Sequence, residues 1–77
     1  MTNETAAAVP ISTEFIRLDS AMKLAGAVYS GGEAKLCIQE GMVSVNGEIC
    51  LQRGRKLHPG DCFVIDGAAY EVTRAWE

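Results

Sequence analysis

The sequence predicts a small α+β domain, with two short helices packed on one side of a small, mostly antiparallel sheet of about four strands. Three observations predict it. Apolar residues recur at helical spacing as far as Gly41 and alternate with polar residues after it. Two helical stretches end on glycines, Gly26 and Gly41. Asn46-Gly47 and Asp66-Gly67 then interrupt alternating stretches, as tight hairpin turns do.

In chain order, residues 1–13 are small and polar with one proline, and read as a flexible N-terminal arm. Residues 14–77 form the single domain. Phe15-Ile16-Arg17-Leu18 reads as an extended entry segment. Asp19 suits the N-cap of a first helix over 20–25, with Leu18, Met22 and Ala25 facing the core and Lys23 facing solvent. A second helix spans about 31–40. Ser30 caps it, and Glu33 three residues on completes a capping box. Ala34, Cys37 and Ile38 share its apolar face, while Gly31, Lys35 and Gln39 share a polar one. Strands are expected around 43–45, 48–52, 62–66 and 69–73, with a turn at His58-Pro59-Gly60-Asp61.

The chain has 77 residues, room for one small core. Its net charge of −3 is unevenly spread. Residues 17–60 carry +2, against −2 before them and −3 after. Arg53-Gly54-Arg55-Lys56 places three cations within four residues. A phosphate responds mainly to charges within about 8 Å at physiological salt, so a local basic patch can outweigh an acidic total. The glycines after Ser30 leave first-turn N–H groups uncovered, a further place for an anion. Cys37, Cys50 and Cys62 are far apart and lack zinc-ligand spacing, so buried, reduced thiols are expected. No run approaches the ~20 apolar residues of a membrane span, and no signal peptide is evident, so a cytoplasmic protein is expected.

Arg17-Leu18-Asp19, Gly26, Ser30, Ala34, Ile38-Gln39-Glu40-Gly41, Val43-Ser44-Val45-Asn46-Gly47, Leu57 and Pro59-Gly60-Asp61 occur in order and at spacing. Over about residues 14–72 they resemble the RNA-binding domain first seen in small-subunit ribosomal protein S-four, the αL motif. Ser30-Gly31-Gly32-Glu33-Ala34-Lys35 and Arg53-Gly54-Arg55-Lys56-Leu57 look most like the small stand-alone bacterial members of the YbcJ type. The resemblance implies a surface for structured RNA, made by the two helices and the following hairpin. Carried over residue by residue, it points to Lys23, Ser30, Gly31, Lys35, Asn46, Arg53, Arg55 and Lys56. Many members have an arginine directly after the serine, where this chain has Gly31. Lys35 and the uncovered backbone N–H groups are expected to take up part of that role.

The expected function is therefore non-catalytic recognition of structured RNA, of ribosomal or tRNA-like kind, by a monomer without cofactor or metal. Tyr29 is the one aromatic residue near the basic set in sequence, so no aromatic pair for stacking single-stranded bases is expected. No convergent nucleophile, base or metal set suggests an enzyme. The alternative is a protein-interaction module whose basic patch meets an acidic protein.

Overall fold

A computed structural model describes residues 6–75 of the chain. The element order is β1 (Ala7–Ile11), β2 (Ile16–Arg17), α1 (Leu18–Leu24), α2 (Gly31–Gln39), β3 (Val43–Val45), β4 (Glu48–Ile49), β5 (Lys56–Leu57), β6 (Cys62–Ile65) and β7 (Ala68–Arg74). The expected α+β class is found. The main sheet has five strands in the order β1-β7-β6-β3-β4, and β2 pairs with β5 in a separate two-stranded ribbon.

Helix α2 forms as its local sequence dictates. Ser30 Oγ accepts the Glu33 N–H at 3.2 Å. The Glu33 carboxylate reaches back one residue further than in a standard capping box and takes the Tyr29 N–H at 2.7 Å. At the far end, the Gly41 and Met42 N–H groups donate to Ile38 and Cys37 carbonyls, a Schellman closure made possible by φ +75° at Gly41. Ala34 and Ile38 are fully buried, while Gly31, Lys35 and Gln39 face solvent.

Helix α1 begins earlier than expected, and for a non-local reason. Asp19 is not its N-cap. It lies in the first turn, where its Oδ1 accepts the Ser20 N–H. The N-cap position falls on Arg17, whose side chain makes no capping bond. Backbone carbonyls of the distant 53–55 loop serve instead: Leu18 N–H donates to Arg55 at 2.8 Å, and Asp19 N–H to Arg53 at 3.2 Å. Two orphan donors of the first turn thus find partners that no local pattern announces.

The sheet departs from expectation at both edges. Residues 7–11, expected within a flexible arm, form β1, which pairs in parallel with β7 in register Val9↔Val72. Val9 and Ile11 supply the physical reason, since both join the core at 1 % and 4 % exposure. Pro10, between them, lacks an N–H and is tolerated because β1 is an edge strand. Residues 1–5 lie outside the described residues. At the other edge β4 keeps only two residues of the 48–52 strand, and buried Cys50 just beyond them donates its N–H to the Val43 carbonyl at 3.0 Å. Cys37 and Cys62 are only partly buried, and all three thiols are free.

Both hairpins follow their sequence signals. Asn46 and Gly47 take φ of +51° and +91°, and Asp66 and Gly67 take +52° and +80°, the left-handed pairs that two-residue hairpin turns need. Phe63 stacks on Tyr70 across β6 and β7, with centroids 5.1 Å apart. The core joins Leu18 and Met22 of α1, Ala34 and Ile38 of α2, and Val9, Val43, Phe63 and Val72 of the sheet, with Leu57 from the ribbon.

A side-chain tie locks the first hairpin to the 58–61 turn. Asn46 Oδ1 accepts the Cys62 N–H at 3.0 Å, and Asn46 Nδ2 donates to Asp61 Oδ1 at 3.2 Å. Asp61 Oδ2 accepts the His58 N–H at 2.8 Å. That N–H is the main reason the Asp61 carboxyl titrates below the ordinary 3.8; partial burial opposes it, and Asn46, His58 and Arg55 reinforce it.

Two predictions follow from this architecture. Ile11→Ala should destabilise the protein by about 2 kcal/mol or more, whereas exposed Ser12→Ala should change it by less than about 0.5 kcal/mol. Equal urea midpoints for the two would show that β1 adds nothing to the core. A depressed folded-state pKa stabilises above the unfolded carboxylate value and is lost as pH falls through the folded one. Asp61→Ala should therefore cost about 1–2 kcal/mol near neutrality. Its deficit against wild type should shrink below about pH 4. Urea denaturation at neutral and acidic pH checks this, and a deficit constant with pH would exclude an ionised Asp61 as its source.

Candidate nucleic-acid interface

The basic residues gather on the β2–β5 ribbon and the loop leading into it. The register sets Ile16 against Leu57 and Arg17 against Lys56. Leu57 is fully buried and Ile16 partly so, which leaves Arg17 and Lys56 on the outer face. Like charges directly opposite each other destabilise a strand pair. Each cation here has a local counterpart. Arg17 Nη2 lies 3.2 Å from Asp19 Oδ2, with the Arg17 side chain 54 % exposed. Lys56 Nζ stands 4.9 Å above the centre of the Phe15 ring.

Gly54 brings the loop against Arg17, since a Cβ at that glycine would stand 3.8 Å from the Arg17 guanidinium. Arg53 and Arg55 flank it. Their backbone carbonyls hold the start of α1, while their side chains are exposed. Backbone thus fixes the loop and leaves the guanidinium groups to solvent. Among the described residues, Lys23, Lys35, Arg53 and Arg55 form no ion pair. Arg55 lies close enough to Asp61 to help lower that carboxyl's pKa.

The expected residues therefore divide by role. Arg53, Arg55 and Lys56 come together, and the structure adds Arg17, which sequence reasoning did not include. Lys23 is exposed in the last turn of α1, where the helix dipole favours a cation. Lys35 is exposed on α2. Ser30 has its hydroxyl engaged in capping, and beside Gly31 the Glu33 carboxylate already answers the positive end of α2. Asn46 has both amide atoms bonded within the fold.

Tyr29 is 97 % exposed, but it is not the only ring near the cations. Phe15 lies under Lys56 and beside His58, with ring centroids 6.1 Å apart. Alternation along Phe15-Ile16-Arg17 was the available signal, because residues two apart in a strand share a face. The partner strand could not be read locally. Among the described residues no three His, Cys, Asp or Glu side chains could together hold a metal ion, and no helix is long and apolar enough to cross a membrane.

Comparison with known proteins agrees with this framework. The sequence is 46 % identical over 59 residues to a probable ribosome maturation protein of Bacillus subtilis (strain 168), RlbA, spanning 77 % of this chain and 83 % of that protein. It also matches the S4 domain family over residues 9–73, from within β1 to within β7. That span takes in both helices, the ribbon and the hairpins, and the chain belongs to the S4 domain family.

Proposed function

We propose that this protein is a monomeric, non-catalytic, cytoplasmic RNA-binding module. It recognises structured RNA, of ribosomal or precursor-ribosomal origin, through the β2–β5 ribbon and the outer faces of the two helices. The observation that carries this reading is the placement of Arg17 directly across from Lys56, with Arg53 and Arg55 in the adjoining loop. A fold gains no stability from opposing like charges, whereas a phosphate set between them is attracted by both. Membership of the S4 domain family supports the reading, as does a relative named for ribosome maturation.

In this reading Arg17, Arg53, Arg55 and Lys56 form one wall of the contact, and Lys23 and Lys35 extend it along the helices. Ser30, Gly31 and Asn46 position these groups. Duplex RNA is recognised largely by shape, phosphates and 2′-hydroxyls, because its deep groove excludes side chains. A rigid ribbon of cations suits that mode.

Binding of a labelled hairpin RNA, followed by fluorescence anisotropy across a salt series, tests the proposal. About four phosphate contacts give a log–log slope of roughly −3. The triple variant Arg53→Ala, Arg55→Ala, Lys56→Ala should lose at least about tenfold in affinity at low salt and flatten that slope. Binding indifferent to salt, or intact in the triple variant, would sink the proposal. Capture of an acidic protein that survives RNase, with no RNA binding, would favour the protein-interaction alternative. Asn46→Ala should lower stability by about 1–2 kcal/mol yet leave the slope unchanged, since its amide bonds within the fold.

A further inference from the structure

Beside the ribbon lies a groove that phosphate binding does not use. It has a volume of about 470 Å³ and is lined by Glu14, His58, Pro59 and Arg74. We infer that this groove, together with Phe15, receives an unpaired nucleobase next to the paired segment held by the ribbon. The inference rests on the RNA-binding reading above and names the form of RNA that the site selects: a junction of paired and unpaired strand.

Just beyond the Ile16↔Leu57 pair that ends the ribbon, the rings of Phe15 and His58 meet with centroids 6.1 Å apart. These two rings share the outer face with Arg17 and Lys56, by alternation along both strands. Phe15 is 40 % exposed, and the His58 side chain 62 % exposed. Aromatic faces beside cations are what single-stranded nucleic acid needs: the ring takes the base and the cation takes its phosphate. Lys56, now above the Phe15 ring, is placed to exchange that contact for a phosphate as a base arrives.

The groove adds what a bare platform lacks. The pyrrolidine of Pro59, with its apolar C–H edge, and the imidazole of His58 line it, while Glu14 offers an acceptor for a base edge. The platform is held in place by backbone. The His58 N–H is bonded to Asp61, which is bonded in turn to Asn46. Substituting the imidazole leaves that chain of bonds intact. Tyr29 is the more exposed ring, and among the described residues no cation stands over it, so it serves as the control.

The test compares two RNA probes at one low salt concentration: a blunt duplex, and the same duplex with a short unpaired 3′ extension. Wild type should bind the extended probe about tenfold or more tightly than the blunt one, the usual scale of one base stacked on an aromatic ring. His58→Ala and Phe15→Ala should each reduce that preference, read as the ratio of the two affinities, and their combination should abolish it. Tyr29→Ala should keep it. The double variant Arg53→Ala, Arg55→Ala, which keeps Lys56 over Phe15, should weaken both probes alike. Equal binding of both probes by wild type, a preference that survives the Phe15/His58 double variant, or one lost in Tyr29→Ala would overturn the base site while leaving RNA binding standing. Failure of wild type to bind either probe would overturn both readings.

Discussion

The carbonyl groups of Arg53 and Arg55 accept the first N–H groups of α1 across a long stretch of intervening chain, and the candidate interface depends on that contact. A helix start leaves several donors without intrahelical partners, and burying them unpaired costs free energy comparable to a lost hydrogen bond. Meeting two of them with loop backbone fixes three things at once. It starts the helix at Leu18, it holds Arg17 extended, and it draws 53–55 into line with β2 so that Lys56 and Leu57 can pair. Leu57 then closes the core from the side, fully buried. The cations are exposed as a consequence, because the inward positions of the ribbon belong to Ile16 and Leu57.

What could be read from the sequence follows from the range of the interactions involved. Helix α2 and both two-residue hairpins were legible, because Ser30 with Glu33, Gly41, Asn46-Gly47 and Asp66-Gly67 each act within a few residues of themselves. The start of α1 was not, since its partners lie in the 53–55 loop and Asp19 offered a plausible local substitute. Strand β1 was misread for the same reason. Small residues and a proline look like an arm until β7, at the far end of the chain, supplies a parallel edge for Val9 and Ile11. The site divides likewise. The loop cations announced themselves by density in sequence, but Arg17, Phe15 and His58 acquired meaning only once β2 and β5 were paired.

The charge distribution makes better sense in three dimensions than along the chain. A total of −3 would discourage nonspecific attraction to polyanions. Concentrating Arg17, Arg53, Arg55 and Lys56 about one two-residue ribbon restores a local attraction that screening confines to within about 8 Å. Carboxylates stand at the margins. Glu33 sits at the start of α2, Asp61 beside Arg55, and Asp19 against Arg17. At the ribbon four cations outnumber the carboxylates of Asp19 and Asp61, whereas the N-terminus of α2 carries the Glu33 carboxylate. In the proposed reading the surface discriminates by geometry, and favours an RNA whose phosphates match the ribbon's spacing over a polyanion of equal charge.

That discrimination requires the ribbon to keep its orientation against the rest of the domain, and side-chain amide and carboxylate groups supply the rigidity. Asn46 and Asp61 join the first hairpin, the 58–61 turn and the start of β6 through bonds of 2.8 to 3.2 Å. His58 directly follows β5, so the same bonds anchor the far end of the ribbon, while the loop carbonyls anchor its near end. Polar residues conspicuous in sequence, Ser30 and Asn46 among them, thus hold backbone in place, and long cationic side chains with few internal contacts are left exposed to solvent. In the proposed reading a residue such as Asn46 shapes recognition by fixing where the cations stand, since both polar atoms of its side chain bond within the fold.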